Sequence, residues 1–258
     1  MVAELACRMG MVEQMIRYEY WNSRASGIVI GLSGGIDSAV AAVFCCRAVG
    51  ADKVLGLSLP SAVSNPDDIR DAADLCRKFG FGHKTVSIEP ILAGFRTIPD
   101  FEESRYLLGN LMARTRMAVL YYHANRDNRI VCGTSNRSEL MLGYCTKFGD
   151  NAADIQPIVH LYKTEIYAWA RELGIPEPII RKPPSAGLWE GQSDEGEIGL
   201  TYPEIDRALA SLEEHGWKAG NPVEDKVLSL VSKSAHKRVP APNLLAGPRE
   251  PEDIPPGC

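Results

Sequence analysis

Apolar residues in this chain gather in short runs bounded by Gly, Asn or Asp, and between the runs the apolar spacing changes to that of helices. Residues 28–33 (IVIGLS) and 53–59 (KVLGLSL) read as strands covered on both faces, and 84–88 and 129–133 (RIVCG) read the same way. Helical spacing fills 38–48, where Gly50 offers a left-handed stop, and 66–79. The second of these carries its own signals: Asn65 as cap, Pro66 in the first position, Asp67 and Asp68 in the first turn and Gly80 after the end. A third helix, over 102–125, is apolar around much of its circumference yet carries Arg114 and Arg116, which suits a core helix or a subunit interface. Strands that alternate with helices predict an α/β fold, a doubly wound and mostly parallel sheet with helices on both faces. Its ligand site is expected at the carboxyl ends of the strands, near the switch in strand order.

From 175 to 203 the periodicity stops in a stretch rich in Pro, Gly and acids, a long functional loop or lid. Amphipathic segments follow over 203–215 and 222–234. The last residues, VPAPNLLAGPREPEDIPPGC, hold too little apolar surface to fold alone. The expected organisation is one domain over 1–238 and a flexible proline-rich tail over 239–258.

Composition narrows the class without changing that picture. The 258 residues are 45% hydrophobic and 24% charged, ordinary for a globular enzyme of one large domain. A formal net charge of −5 argues against a general nucleic-acid partner. No apolar run reaches membrane-spanning length, and Glu4 and Glu13 interrupt the stretch where a signal peptide would be continuous. A cytoplasmic protein with no membrane or nucleic-acid partner is expected. Seven cysteines, scattered and odd in number, do not form a disulfide framework; no C-x-x-C occurs and the five histidines never pair at helical spacing, which argues against zinc. Cys76 and Cys132 are expected as buried thiols.

The candidate chemistry sits in Gly31-Leu32-Ser33-Gly34-Gly35-Ile36-Asp37-Ser38, between the first strand and a helix. Gly31 to Gly35 satisfies G-x-S-x-G, so Ser33 is a possible hydrolase nucleophile. Only about 30 residues precede it, however, and none resembles the segment that supplies an oxyanion hole. The same small residues suit a phosphate cradle, in which backbone N–H groups and a helix N-terminus meet an anion. Neither a Gly-Lys pair nor G-x-G-x-x-G is present, which excludes the common nucleotide fingerprints. Asp37 beside a phosphate site implies an intervening cation such as Mg²⁺; read alone, Asp37 and Ser38 simply cap a helix.

The hexapeptide Ser-Gly-Gly-Ile-Asp-Ser resembles the pyrophosphate loop of the ATP pyrophosphatase superfamily. Four further blocks resemble ammonia-dependent NAD synthetase: GNLMARTRMAVLYYHA (109–124), GTSNRSELMLGYCTKFGDNAADIQPIVHLYKTEIYAWA (133–170), KPPSAGLWEGQSDEGEIGLTYPEID (182–206) and HKR (236–238). That resemblance implies a Rossmann-like ATP pyrophosphatase fold and amidation of deamido-NAD to NAD with ATP, Mg²⁺ and ammonia, through an adenylated substrate. It assigns ATP to Gly31, Leu32, Ser33, Gly34, Gly35, Ile36, Asp37, Ser38, Thr134, Lys163 and Ser185. It assigns Mg²⁺ to Asp37 and Glu139, and deamido-NAD to Arg114, Lys147, Asp154, His236 and Lys237. Asp37, Glu139, Asp154 and Lys163 are the catalytic set. The family pattern has a Gly pair after Gly149-Asp150, where this chain has Asn151-Ala152-Ala153. The segment WEGQSDEGEIG resembles the family's mobile lid. A homodimer is implied, with ammonia taken free or from a separate glutaminase, since this length leaves no room for a nitrilase-like domain. The alternatives are another ATP pyrophosphatase such as a tRNA thiolase, for which paired cysteines and a basic face are wanting; a serine hydrolase built on Ser33; and a non-catalytic nucleotide-binding module.

Overall fold

The computed structural model describes residues 2–189 and 191–241. A first helix, α1 (Val2–Ser23), leads into strand β1 (Gly27–Gly31) and helix α2 (Ile36–Val49). Then come β2 (Val54–Ser58), α3 (Pro66–Phe79), β3 (Gly82–Thr85), α4 (Glu89–Phe95), α5 (Arg105–Arg126) and β4 (Arg129–Cys132). The remainder is helical: α6 (Arg137–Leu142), α7 (Lys163–Glu172), α8 (Glu177–Ile180), α9 (Asp194–Ile198), α10 (Tyr202–Glu214) and α11 (Pro222–Lys233). The strands form one sheet in the order β3-β2-β1-β4, parallel throughout. The chain therefore reverses its direction of winding at the β1/β4 boundary, where a parallel sheet opens a crevice at its carboxyl edge.

Alternation along the strands explains the two layers. Ile28 and Ile30 of β1 pack with α1, α2 and α7, whereas Val29 between them packs on the opposite side with Leu55 and Leu57 of β2 and Met112 and Val119 of α5. A third cluster, centred on Tyr202, Ile205, Leu209 and Val227, joins α6, α10 and α11 beyond the sheet.

The helix stop and start signals hold for α3. Asn65 Oδ1 accepts from the Asp67 amide at 3.0 Å, and Gly80 takes φ +76°. Gly50 also has positive φ, at 97°, but with ψ 140° it leaves the helix extended rather than left-handed. The third strand lies at 82–85 instead of 84–88; pairing runs on through the Val86 amide, which donates to the Ser58 carbonyl at 2.9 Å. As an edge strand, β3 is polar and gives little apolar signal. The stretch 175–203 is not one loop, because Ile179 and Ile180 bury α8 and Ser193 caps α9. Nothing in the pattern pointed to α1: Met9, Val12 and Ile16 bury one face, but Met11, Tyr18 and Trp21 are exposed on others and blur the stripe. Among the described residues six cysteines are free thiols, Cys76 and Cys132 buried among them. Among the described residues no helix is long and apolar enough to cross a membrane. The expected tail lies outside the described residues from 242 onward.

Candidate active site

The turn after β1 is shaped by contact with α3. Gly34 has φ +76°, and a Cβ there would lie 2.5 Å from the Asp68 carbonyl oxygen, so only glycine fits. Gly35 caps α2 with no side-chain partner, which leaves the helix N-terminus facing the crevice. Hydroxyls hold the turn from within: Ser38 Oγ donates to the Gly35 carbonyl at 3.0 Å, and the Gly35 amide donates to Ser33 Oγ at 3.2 Å. Ser33 Oγ and Ser38 Oγ lie 3.2 Å apart. The hydrogen-bond partners of the Ser33 hydroxyl are thus a serine and an amide, and neither can accept its proton as an imidazole would; the arrangement is a cradle, not a nucleophile elbow.

Asp37 does not cap its helix. Its Oδ2 lies 2.5 Å from Lys163 Nζ, and its Oδ1 accepts from Asn136 Nδ2 at 2.9 Å. Lys163 also reaches Glu139 Oε1 at 3.2 Å. Asn136 is the hub of this cluster, because its Oδ1 caps α6 by accepting from the Glu139 amide at 3.0 Å while its amide group orients Asp37. Lys163 is 3% exposed, with Nζ 5.1 Å from the centre of the Tyr202 ring. The Tyr202 hydroxyl in turn donates to Asp194 Oδ2 at 3.1 Å. Burial alone would lower the Lys163 pKa, but Asp37 and Glu139 outweigh it and hold the group as an ammonium. Burial pushes the Glu139 carboxyl up to about 7, with Asp37 and Asp194 adding to the rise and Lys163 opposing it.

No three acidic, His or Cys side chains among the described residues converge as a self-sufficient metal cage. The donor set nevertheless fits Mg²⁺. Asp37 and Glu139 are hard oxygen donors converging on one point, and with Asp194 they outnumber the lone ammonium; Mg²⁺ is ordinarily held by one or two carboxylates plus substrate phosphates.

A cleft of about 1320 Å³ opens over the carboxyl ends of the strands. Of the residues assigned to ATP it is lined by the turn, Thr134, Lys163 and Ser185, with Gly34 turned away against α3; Glu139 also lines it. Of the substrate set, Lys237 lines it, tied by Nζ to the carbonyls of Gly143 and Cys145 at 2.7 and 2.6 Å. Arg114, Lys147, Asp154 and His236 lie outside the lining. Arg114 Nη2 donates to the Lys147 carbonyl at 3.3 Å, and Lys147 Nζ donates to the His236 carbonyl at 2.6 Å. Asp154 accepts from the Val131 amide at 2.7 Å and from the Tyr121 hydroxyl at 3.2 Å, at the edge of β4. In the turn beside them the left-handed residue is Phe148, at φ +58°, and Asn151, Ala152 and Ala153 have ordinary backbone angles. The departure from the Gly pair therefore costs no strain.

Three residues of the site went unread in the sequence: Asn136, and Asp194 and Lys182, which line the cleft. Asn136 had a signal in Asn-x-x-Glu before a helix, which is a capping box. Lys182 meets Asp68 across 114 positions and had none, and Asp194 carried no motif of its own.

Comparison with known proteins bears on the fold and the family. The NAD synthase family model matches residues 9–241. The NH(3)-dependent NAD(+) synthetase of Methanoregula boonei is 68% identical over 248 residues, 96% of this chain and all of that protein. Among solved structures, an NMN synthetase from Francisella tularensis superposes with TM-score 0.85 at 38% identity, over 93% of this chain and 98% of that one. An NH3-dependent NAD synthetase from Campylobacter jejuni, solved with a nitrate ion, gives 0.80 at 34%, over 93% and 99%. With the family model spanning nearly the whole described fold, the chain belongs to the NAD synthase family.

Proposed function

We propose that this chain amidates deamido-NAD to NAD, using ATP, Mg²⁺ and ammonia. The observation that carries the reading is Lys163 held between Asp37 and Glu139 beside an anion-accepting turn, within a fold of this family. A carboxylate is a poor acceptor for ammonia because its leaving group would be oxide. Attack by the nicotinate carboxylate on the α-phosphorus of ATP breaks the bridge to the β-phosphate and gives an acyl adenylate and pyrophosphate. Ammonia then attacks the acyl carbon, the bond to AMP breaks, and the nitrogen loses a proton.

The charge that builds on phosphoryl oxygens calls for fixed donors. The amides of the turn and the α2 N-terminus receive the departing pyrophosphate, and the Ser33 hydroxyl donates without becoming covalently modified. Lys163 adds a point charge at the cleft floor. Asp37 and Glu139 would hold Mg²⁺, which when bound neutralises phosphate oxygens. Arg114, Lys147 and Lys237 offer cations to the dinucleotide with His236 beside them, and Asp154, ordered by Val131 and Tyr121, stands at the nicotinate end. We assign a homodimer through the outward face of α5, a cytoplasmic setting, and ammonia taken free or from a separate glutaminase.

Incubation with ATP, Mg²⁺, ammonium and deamido-NAD is expected to give NAD, AMP and pyrophosphate in equal amounts. ADP as product, or a preference for the deamidated mononucleotide as acceptor, would overturn the reading. Asp37→Asn is expected to reduce turnover by on the order of 100-fold or more, the scale of losing a preorganised charge, whereas a mere nucleotide binder would lose only affinity.

A further inference from the structure

Lys182 lies just after α8, in the stretch whose periodicity stops, and its ammonium reaches two other elements. Nζ is 2.6 Å from Asp68 Oδ1 and 2.5 Å from Asp71 Oδ2, both on α3, and it donates to the Gly34 carbonyl at 3.2 Å. All three charged groups line the cleft. We propose that Lys182 is a positioning residue for ATP, holding the Gly34–Gly35 peptide in its anion-accepting orientation and offsetting the α3 carboxylates beside the pyrophosphate site.

The geometry of a trans peptide supplies the reason. The C=O of Gly34 and the N–H of Gly35 belong to one peptide plane and point in opposite directions. Drawing the carbonyl onto Lys182, toward α3, turns the amide toward Ser33 Oγ, which it meets at 3.2 Å. Glycine at position 34 has no side chain to resist rotation, and the hold on the peptide is shared by Ser33 Oγ at its amide and Lys182 at its carbonyl. Released, it can present a carbonyl oxygen, the wrong sign for a phosphate. The electrostatic need is separate: Asp67 is paired with Arg70, whereas Asp68 and Asp71 share the single ammonium of Lys182. Without that ammonium both carboxylates would repel a polyphosphate across the cleft.

The inference rests on ATP as the nucleotide that binds the turn, and the test separates the two. Calorimetric binding of α,β-methylene-ATP to the full chain is compared with the steady-state KM for deamido-NAD. Lys182→Met is expected to weaken the analogue by on the order of 10- to 100-fold, the scale of a charge-assisted hydrogen bond, and to leave the deamido-NAD KM unchanged. Lys182→Arg should recover part of the loss, and so should Asp68→Asn with Asp71→Asn in the Lys182→Met background, by removing the repulsion. Undiminished analogue binding by Lys182→Met overturns the inference alone, as does an equal loss for both substrates, which would mark a purely structural role. Failure of the wild type to bind the analogue overturns the ATP reading and this inference with it.

Discussion

Lys163 shows how one side chain joins stability to chemistry. Its ammonium is almost wholly out of water and is balanced by Asp37 and Glu139. Removing one member of a buried ionic cluster strands the others, at a cost of about 3 to 5 kcal/mol. Lys163→Met is therefore expected to lower unfolding free energy by about 3 kcal/mol in denaturant titrations, besides abolishing turnover. The two stranded carboxylates would then accept Mg²⁺ more readily, so added Mg²⁺ should raise the thermal midpoint more in the variant than in the wild type. Equal shifts in the two proteins would contradict the placement of Mg²⁺ at Asp37 and Glu139. The residue types of this cluster were legible through the family resemblance. The hub Asn136 was legible only as the cap of α6, because its other partner, Asp37, lies 99 positions away in sequence and leaves no local trace; the buried Asp194 was not singled out.

Helix α7 illustrates the same limit for an element. This helix has a local contribution, the Tyr162 amide donating to Glu165 Oε2 at 2.9 Å, but its first two amides are capped from other elements: the Lys163 amide donates to Ser138 Oγ at 3.0 Å, and the Thr164 amide donates to Asp206 Oδ2 at 2.9 Å. Asp206 Oδ1 also accepts from Ser138 Oγ at 2.5 Å, so one buried carboxylate on α10 holds both α6 and the start of α7. Asp206→Ala should cost about 2 to 3 kcal/mol by leaving buried donors unpaired, and should depress turnover by loosening Lys163, whereas Asp206→Asn should retain more of both. A substitution neutral in both thermal melts and turnover would show that α7 needs no such anchor. Elements with strong internal signals, such as α3 and the two central strands, could be read from the chain. Helix α1, with apolar residues on several faces, and edge strand β3, nearly all polar, could not.

For the molecule as a whole, strand order brings the pieces together. The winding reverses between β1 and β4, so the turn after β1 and Thr134 after β4 open on one cleft, and α6 and α7 deliver Glu139 and Lys163 to its floor. On α5, Leu107 and Tyr122 are exposed and lie within about 60° of each other around the helix, which suits the proposed homodimer. Leu107→Glu with Tyr122→Glu should convert the protein to monomers in sedimentation velocity, and a wild type that sediments as a monomer would refute that assembly. The alternation of strand and helix and the parallel sheet were legible in the chain, because they rest on local periodicity, and so were the glycines and hydroxyls of the turn after β1, because they are adjacent in sequence. Tertiary structure alone decided that Asp37 faces Lys163 instead of capping its helix, and that Lys182 and Asp206 anchor a turn and a helix remote from them. Such pairings depend on how the elements cross in space, which no spacing along the chain encodes.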